Sequence, residues 1–415
     1  MNFLPRTLAC GIVAGLALGI TPVAGQQPTL LEVNAVARPV PMSEAVEAAW
    51  RKAVQSAEAN GQVRRAQAER TAASSLFAAP PALELSHRDD RLQSNRGARE
   101  TEVGFAMPLW LPGQRSAREA AARVEGEFAS LAATVGHLRV AAAVREVASD
   151  IALQRAEADL ADANLKSLEA LTTDVERRVA AGDLARIDAL ASRAEFLAAQ
   201  SLKTQALQRL RAAQLQWTAL TGMTQEPSVS EPAKDANGAA DHPVIQLASL
   251  SVELARRRLD AVSASKRSPP ELVARLRQDV SNRNESTVNS LGFALRIPLG
   301  TAARNDQLMA AAVSELEVAQ ATEQRQREQV AADIKIARAA LRSAADQLET
   351  ERARTALLTE RARLLDNSFR AGETSLPEIL RTTAALSQAR LSVTRQELAI
   401  GLAQARLHQA LGILP

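Results

Sequence analysis

Two acids carry the spacing that most invites a chemical reading. Asp188 lies in AAGDLARIDAL, residues 180–190, and Glu378 in RAGETSLPEIL, residues 370–380. Each stands six residues after a glycine, and Gly182/Gly372, Asp188/Glu378 and Leu190/Leu380 are all 190 positions apart. A repeated carboxylate of this kind either presents charge at an exposed turn or satisfies a backbone N–H at a helix start. Ser375-Leu376-Pro377-Glu378 fits the second role as a capping box with proline in the first helical turn, and both roles stay open. Gly182 and Gly372 suit helix C-termini that need a positive φ.

No pattern for enzymatic chemistry accompanies these acids. The chain shows no nucleophile elbow, no phosphate loop and no clustered carboxylates in a strand-edge setting. His87, His137, His242 and His408 are scattered without metal-ligand spacing. No catalytic residue, cofactor or metal is therefore expected. Acids and bases interleave to a net charge of +3, and no basic cluster carries stacking aromatics, which argues against a nucleic-acid partner.

The elements that hold the turns must be long helices. Aromatic residues are 2% of the 415, with no Tyr, while Ala, Leu, Glu, Gln and Arg dominate; that bias suits helices packed through small side chains. Arg6, the apolar run TLACGIVAGLALGI and Val23-Ala24-Gly25 read as a signal peptide over 1–25. Cleavage there removes Cys10, the one cysteine, and with it any thiol chemistry; a lipidated Cys10 is the alternative. No later segment reaches the ~18 uninterrupted apolar residues of a spanning helix. Such an exported chain is periplasmic, secreted, or held in the outer membrane by β-strands.

An extended tail is expected over 26–42, then a helix capped by Ser43 and running to about Phe77, ended by Pro80 and Pro81. Strands follow within about 82–109, where Val103, Phe105, Met107 and Leu109 alternate, separated by the polar loop SHRDDRLQSNRGARE. Proline is absent from Gly113 to Glu226. Leu131/Leu138 and Leu153/Leu160 sit seven apart in a helix predicted from Arg115 to Ala181, on the order of 100 Å long at ~1.5 Å per residue. A second helix runs from Ala185 to Leu220, and 223–242 is a Pro-bearing linker.

The plan then repeats, with a helix over 243–266, Pro269-Pro270, and strands over about 271–299 that end in SLGFALRIPL. Phe293, Leu295 and Ile297 alternate there, and Phe105, Met107, Phe293 and Leu295 are not expected all to face one environment. A long helix with Ile334, Leu341 and Leu348 at heptad spacing leads to the tip at 370–378 and a last helix to Leu411. We read 43–222 and 243–415 as an internal duplication, with tips near 180–188 and 370–378. Four strands are too few to close a barrel, and an open sheet in lipid leaves backbone groups unpaired. Strands entering a membrane must therefore be pooled by several copies, and a ring of the helices would enclose a water-filled tube. Trp110 suits either interfacial anchoring or plain packing.

The chain resembles the TolC-type outer-membrane efflux family over essentially its whole mature length. The residues that carry the resemblance are MPLWLPGQR (107–115), IPLG (297–300), the two glycine turns, and the helix endings LTG (220–222) and ALG (410–412). The PLWLPGQR passage looks most like the heavy-metal efflux, CzcC-like, branch. The resemblance implies a mainly α fold with a small β part: a homotrimer whose twelve strands form one outer-membrane barrel above a periplasmic helical tunnel. It implies outer-membrane lipid, a periplasmic adaptor and a proton-driven inner-membrane pump as partners. Val103, Phe105, Met107, Phe293, Leu295 and Ile297 become membrane-strand residues. Gly182, Asp183, Leu184, Gly372, Glu373 and Thr374 become adaptor contacts at the tips. Glu378 matches the family's constriction acid and Asp188 is its counterpart. The family's second acid is replaced here by Arg381, which puts cation preference in doubt. A periplasmic coiled-coil adaptor, or a structural protein without a pore, is the alternative.

Overall fold

The computed structural model describes residues 39–92, 94–228 and 241–415. The signal peptide with Cys10, the tail up to residue 38, and the 229–240 part of the linker lie outside the described residues. Eleven elements follow in order: α1 (Met42–Lys52), α2 (Val54–Ala73), β1 (Ala82–Asp89), β2 (Arg99–Pro108), α3 (Gln114–Ala181), α4 (Arg186–Thr221), α5 (Pro243–Ser263), β3 (Glu271–Val280), β4 (Val288–Arg296), α6 (Ala302–Arg370) and α7 (Leu376–Ala410). The order strand, strand, long helix, shorter helix thus occurs twice. The long helices have 68 and 69 residues, the shorter ones 36 and 35.

The first helical stretch differs from its expectation. Helix begins at Met42, one residue before Ser43, and Ala53 adopts an extended conformation (φ −72°, ψ 141°) that divides it into α1 and α2. α1 buries Ala45, Val46, Ala48 and Ala49, whereas α2 buries only Ala59, Ala66 and Ala73. The break turns one strongly amphipathic segment into a core and releases the next to run along α3. α2 stops at Ala73 rather than Phe77, because the Ser74 and Ser75 hydroxyls donate to the carbonyls of Thr71 and Phe77 and compete with helical pairing.

The four strands form one antiparallel sheet in the order β1-β2-β3-β4. β1 and β2 extend into the polar stretch expected to be loop, so only residues 90–98 connect them. Ile297, expected in a strand, lies beyond β4. Glu271 pairs with Arg296, and the residue before Glu271 is Pro270, which has no N–H to continue the ladder; Pro298 is equally unable to donate.

Helix packing relies on alanine at seven-residue intervals. Ala59/Ala66/Ala73, Ala122/Ala129, Ala141/Ala148, Ala199/Ala206/Ala213, Ala312/Ala319 and Ala337/Ala344 are all buried. A strict seven-residue repeat keeps a seam facing its partner in a left-handed supercoil. Charges tie the helices between seams. The buried Glu157 of α3 accepts from Arg209 of α4 at 3.1 Å and Arg395 of α7 at 2.7 Å. Asp162 is held at a pKa of about 2 by hydrogen bonds from Lys166 and, across to α4, Lys203.

A bulkier core gathers Met42, Val46, Val144, Ile151 and Trp217 around the α1–α3–α4 contact. Trp217 is 1% exposed and its indole N–H donates to the Gln225 carbonyl at 2.9 Å. Trp217→Ala removes both, and should lower unfolding stability by about 3–5 kcal/mol. Thermal unfolding in detergent, followed by helical circular dichroism, checks this; an unchanged melting temperature contradicts the assigned packing.

Candidate functional site

Both hairpin tips are built on left-handed glycines. Gly182 ends α3 with φ 89°, and the next N–H, of Asp183, reaches back to the Arg178 carbonyl at 2.9 Å. Gly372 has φ 80°, and Glu373 N–H reaches the Ser368 carbonyl at 2.9 Å. This six-to-one closure satisfies carbonyls that a helix end otherwise leaves open. Thr374 is half-buried and its hydroxyl donates to Ser368 Oγ at 2.6 Å. Asp183 and Glu373 are exposed.

The two tips pack on each other. Val175, Phe369, Leu376 and Ile379 form a small core, with Leu184 and Leu380 against its rim. Arg178 of α3 donates to the Phe369 carbonyl at 3.2 Å while its guanidinium lies 4.8 Å from the Phe369 ring centroid. Leu184, expected as an adaptor contact, is therefore partly spent on this core. Above the tips α3, α6 and α7 enclose a cleft of about 660 Å³, whose wall includes the buried Thr382 hydroxyl, without a hydrogen-bond partner.

The two acids behave differently. Asp188 accepts from the Ala185 N–H at 3.3 Å, so it caps α4; Ala185 has no side-chain oxygen, and its backbone carbonyl takes the Asp188 N–H at 3.0 Å. Glu378 does not cap. Ser375 makes no side-chain cap bond, and the Glu378 carboxylate is used at both oxygens, by Arg361 of α6 at 2.6 Å and Arg381 at 2.7 Å. Two charge-assisted bonds outweigh one bond to an N–H that water can reach. Arg361 was not legible as a partner: it lies 17 residues away on the other helix of the hairpin.

At the opposite end, register sorts the sheet into two faces. Leu85, Val103, Leu276 and Leu291 form one row across it; Leu83, Phe105, Ala274 and Phe293 form the next; Met107, Leu272 and Leu295 form a third. Phe105, Met107, Phe293 and Leu295 thus share one face, contrary to expectation, because the odd-numbered positions of β2 and β4 meet through β3. Phe293 is 72% exposed and Leu83 is 72% exposed, so none of the described residues covers this part of the face. The other face is a charge ladder. Arg275 lies 3.2 Å from Glu102 and 3.8 Å from Glu84, and Arg277 lies 3.1 Å from Glu100. The outer edges of β1 and β4 are unpaired within the sheet.

Among the described residues no helix is long and apolar enough to cross a membrane, and no three His, Cys, Asp or Glu are placed to hold a metal ion. His242 instead caps α5, accepting from the Val244 N–H at 3.2 Å.

No protein-family model matches the chain, and no curated protein matches it by sequence. Solved structures match it over nearly the whole length. CusC, studied for the conformational changes accompanying folding and transmembrane channel formation, superposes with a TM-score of 0.74 at 17% identity, covering 94% of this chain and 99% of that one. The outer-membrane protein VceC of Vibrio cholerae gives 0.72 at 16% identity, covering 89% and 96%. The open state of the MtrE outer-membrane channel of Neisseria gonorrhoeae gives 0.73 at 14% identity, covering 90% and 89%. The chain therefore has the TolC-type outer-membrane channel fold.

At the tips, an added Cβ at Gly182 or Gly372 meets open space, so substitution strains only the backbone. Gly372→Ala should cost roughly 1–2 kcal/mol through the left-handed conformation, and Gly372→Asn less. Amide hydrogen exchange in the last turn of α6 should speed up in that order; equal rates in all three proteins contradict the strain.

Proposed function

We propose that the chain is the outer-membrane channel of a tripartite efflux system, exporting small molecules or metal ions. The observation that carries the reading is the two-faced sheet: apolar on one side, ion-paired on the other, open at both edges. Open edges are untenable in lipid, and three copies closing edge to edge give twelve strands with the apolar face outward and the charge ladder toward water. The fold's likeness to CusC, VceC and the outer-membrane channel MtrE supports a channel in the outer membrane. The helices then form a periplasmic tunnel. Gly182, Asp183, Gly372, Glu373 and Thr374 face a periplasmic adaptor coupled to an inner-membrane pump, with Leu184 behind them. A periplasmic adaptor or pore-free coiled coil has no use for an exposed apolar sheet face. Crosslinking in intact cells should give a threefold species in the outer-membrane fraction; a soluble periplasmic monomer overturns the proposal.

The sheet supplies a sharper test. Phe293→Lys puts a charge on the lipid side and should cost about 2–4 kcal/mol, with loss of assembled trimer. Ser290→Lys, on the ladder side, should be tolerated. Equal tolerance on a heat-resistance gel argues against a membrane barrel.

We further propose that Glu378, Arg361 and Arg381 line the periplasmic constriction, with Asp188 nearby in a capping role. A carboxylate shared by two guanidiniums is neutralised, and each protomer brings one positive charge in excess. Glu378→Gln should leave assembly intact and shift the reversal potential toward anions. The double change Arg361→Gln with Arg381→Gln frees three carboxylates in a narrow ring and should introduce block by divalent cations. Planar-bilayer recordings with unchanged selectivity and block in both variants remove Glu378 from the constriction.

A further inference from the structure

The junction between strands and helices carries more positive charge than its acids can use. All four strand ends that adjoin helices lie at one end of the sheet, and local bonds hold them level. Leu109 N–H donates to the Pro270 carbonyl at 2.7 Å, Gln114 donates to Ser265 Oγ at 3.0 Å, and the Trp110 indole donates to the Ser75 carbonyl at 3.1 Å. Gly300 sits against the Lys266 carbonyl with no room for a side chain. At this level stand Arg115, Arg118, Lys266, Arg267, Arg296 and Arg304. Glu119 takes up Arg115 at 3.0 Å, and Glu271 takes up Arg296 at 3.7 Å.

The other four cations make no ion pair among the described residues. Arg118 lies 5.6 Å over the Trp110 ring, and Arg304 donates to Ser268 Oγ at 3.2 Å. Lys266 and Arg267 are exposed in the turn beside Gly300. Asp306 is the nearby acid left over, so each chain keeps a net excess of three positive charges here. The long helices α3 and α6 both start at this level with no acid in the first turn, so their dipoles add to the positive potential. Immediately beyond lies the apolar sheet face, with Leu109, Ile297 and Leu299 exposed between.

We infer that this collar binds the phosphate headgroups of anionic phospholipids at the helix-side boundary of the membrane. The inference rests on the channel reading, since it takes the apolar face as lipid-facing. An acyl chain lies against Met107, Leu272 and Leu295 while its headgroup meets a guanidinium or ammonium one side-chain length away. Arginine and lysine reach such a boundary with their stems on apolar surface, and each cation near an anionic surface adds to retention. At the far end of the apolar rows the next residues are His87, Thr101, Gln278 and Asn289, and beyond them Arg88, Arg91, Arg96, Arg99 and Arg283 are matched in number by Asp89, Asp90, Glu100, Asp279 and Glu285, so that end carries no net excess of cations. The preference therefore belongs to one leaflet.

The test uses the full-length trimer in mild detergent, offered phosphatidylglycerol and phosphatidylcholine in equal amounts. Retained lipid is counted by native mass spectrometry. The parent should keep phosphatidylglycerol in preference. Combining Arg118→Gln, Lys266→Gln, Arg267→Gln and Arg304→Gln should cut that preference by about tenfold or more. Lys335→Gln, Arg338→Gln, Arg342→Gln and Arg363→Gln together, which remove as many exposed cations from the part of α6 remote from the sheet, should not. A collar variant that stays trimeric and keeps the parent's preference overturns the inference alone, as does equal loss in the α6 control. A parent that forms no membrane trimer overturns the channel reading and the inference with it.

Discussion

The pairing of β2 with β3 is the contact on which everything else depends. It runs from Arg99 against Val280 to Pro108 against Glu271 and is where the two repeats share a ladder. Antiparallel pairing at that register brings the start of α3 and the start of α6 to the same end of one sheet. From there two helices of nearly equal length, 68 and 69 residues, must finish at the same level. The Val175–Phe369–Leu376 core, formed between tips some 100 Å away at ~1.5 Å per residue, is the distant result of ten paired residues. A one-residue slip would exchange the apolar and charged faces and bring mismatched turns together.

Much of this was legible because the relevant signals are local. Proline pairs, glycine turns and seven-residue spacing state where helices start and stop, and the helix ends fell within a few residues of expectation for α3, α4, α6 and α7. Other features depend on partners remote in sequence. Nothing around Ala53 announces an extended residue, since alanine is the best helix former; the docking of α1 on Val144 and Trp217 imposes it. The extra strand residues 86–89 and 99–100 are polar and join the ladder because Glu102 and Thr101 stand opposite Ser86 and His87, and Val280 and Asp279 opposite Arg99 and Glu100. Ile297 alternates correctly, but alternation says nothing of whether the neighbouring strand has an N–H left to give.

The tip shows the same division. Gly182 and Gly372 could be placed from spacing, and the αL conformation follows from residue type. The role of Glu378 could not be settled from its own segment, because Ser375-Leu376-Pro377-Glu378 is a sound capping sequence. The bond from Arg361 draws the carboxylate away from the cap, and α6 carries several arginines among which sequence gives no preference. Leu184, expected as an adaptor contact, packs against a core whose Phe369 and Leu376 come from the other hairpin, which its own segment does not announce.

The alanine seams have a mechanical consequence. A methyl group lets two helix backbones approach closely and resist being pulled apart, yet it forms a knob too low to stop one helix sliding along the other. Along the hairpin of α3 and α4, bulky interlocks sit mainly toward the ends, at the Trp217 cluster and the Phe369 cluster. Between them Ala158 meets Ala206 and Leu210, with Glu157, Arg209 and Arg395 as flexible tethers. The hairpin of α3 and α4 is thus a rod clamped at both ends and compliant in shear along its middle, better suited to transmit a twist than to absorb one.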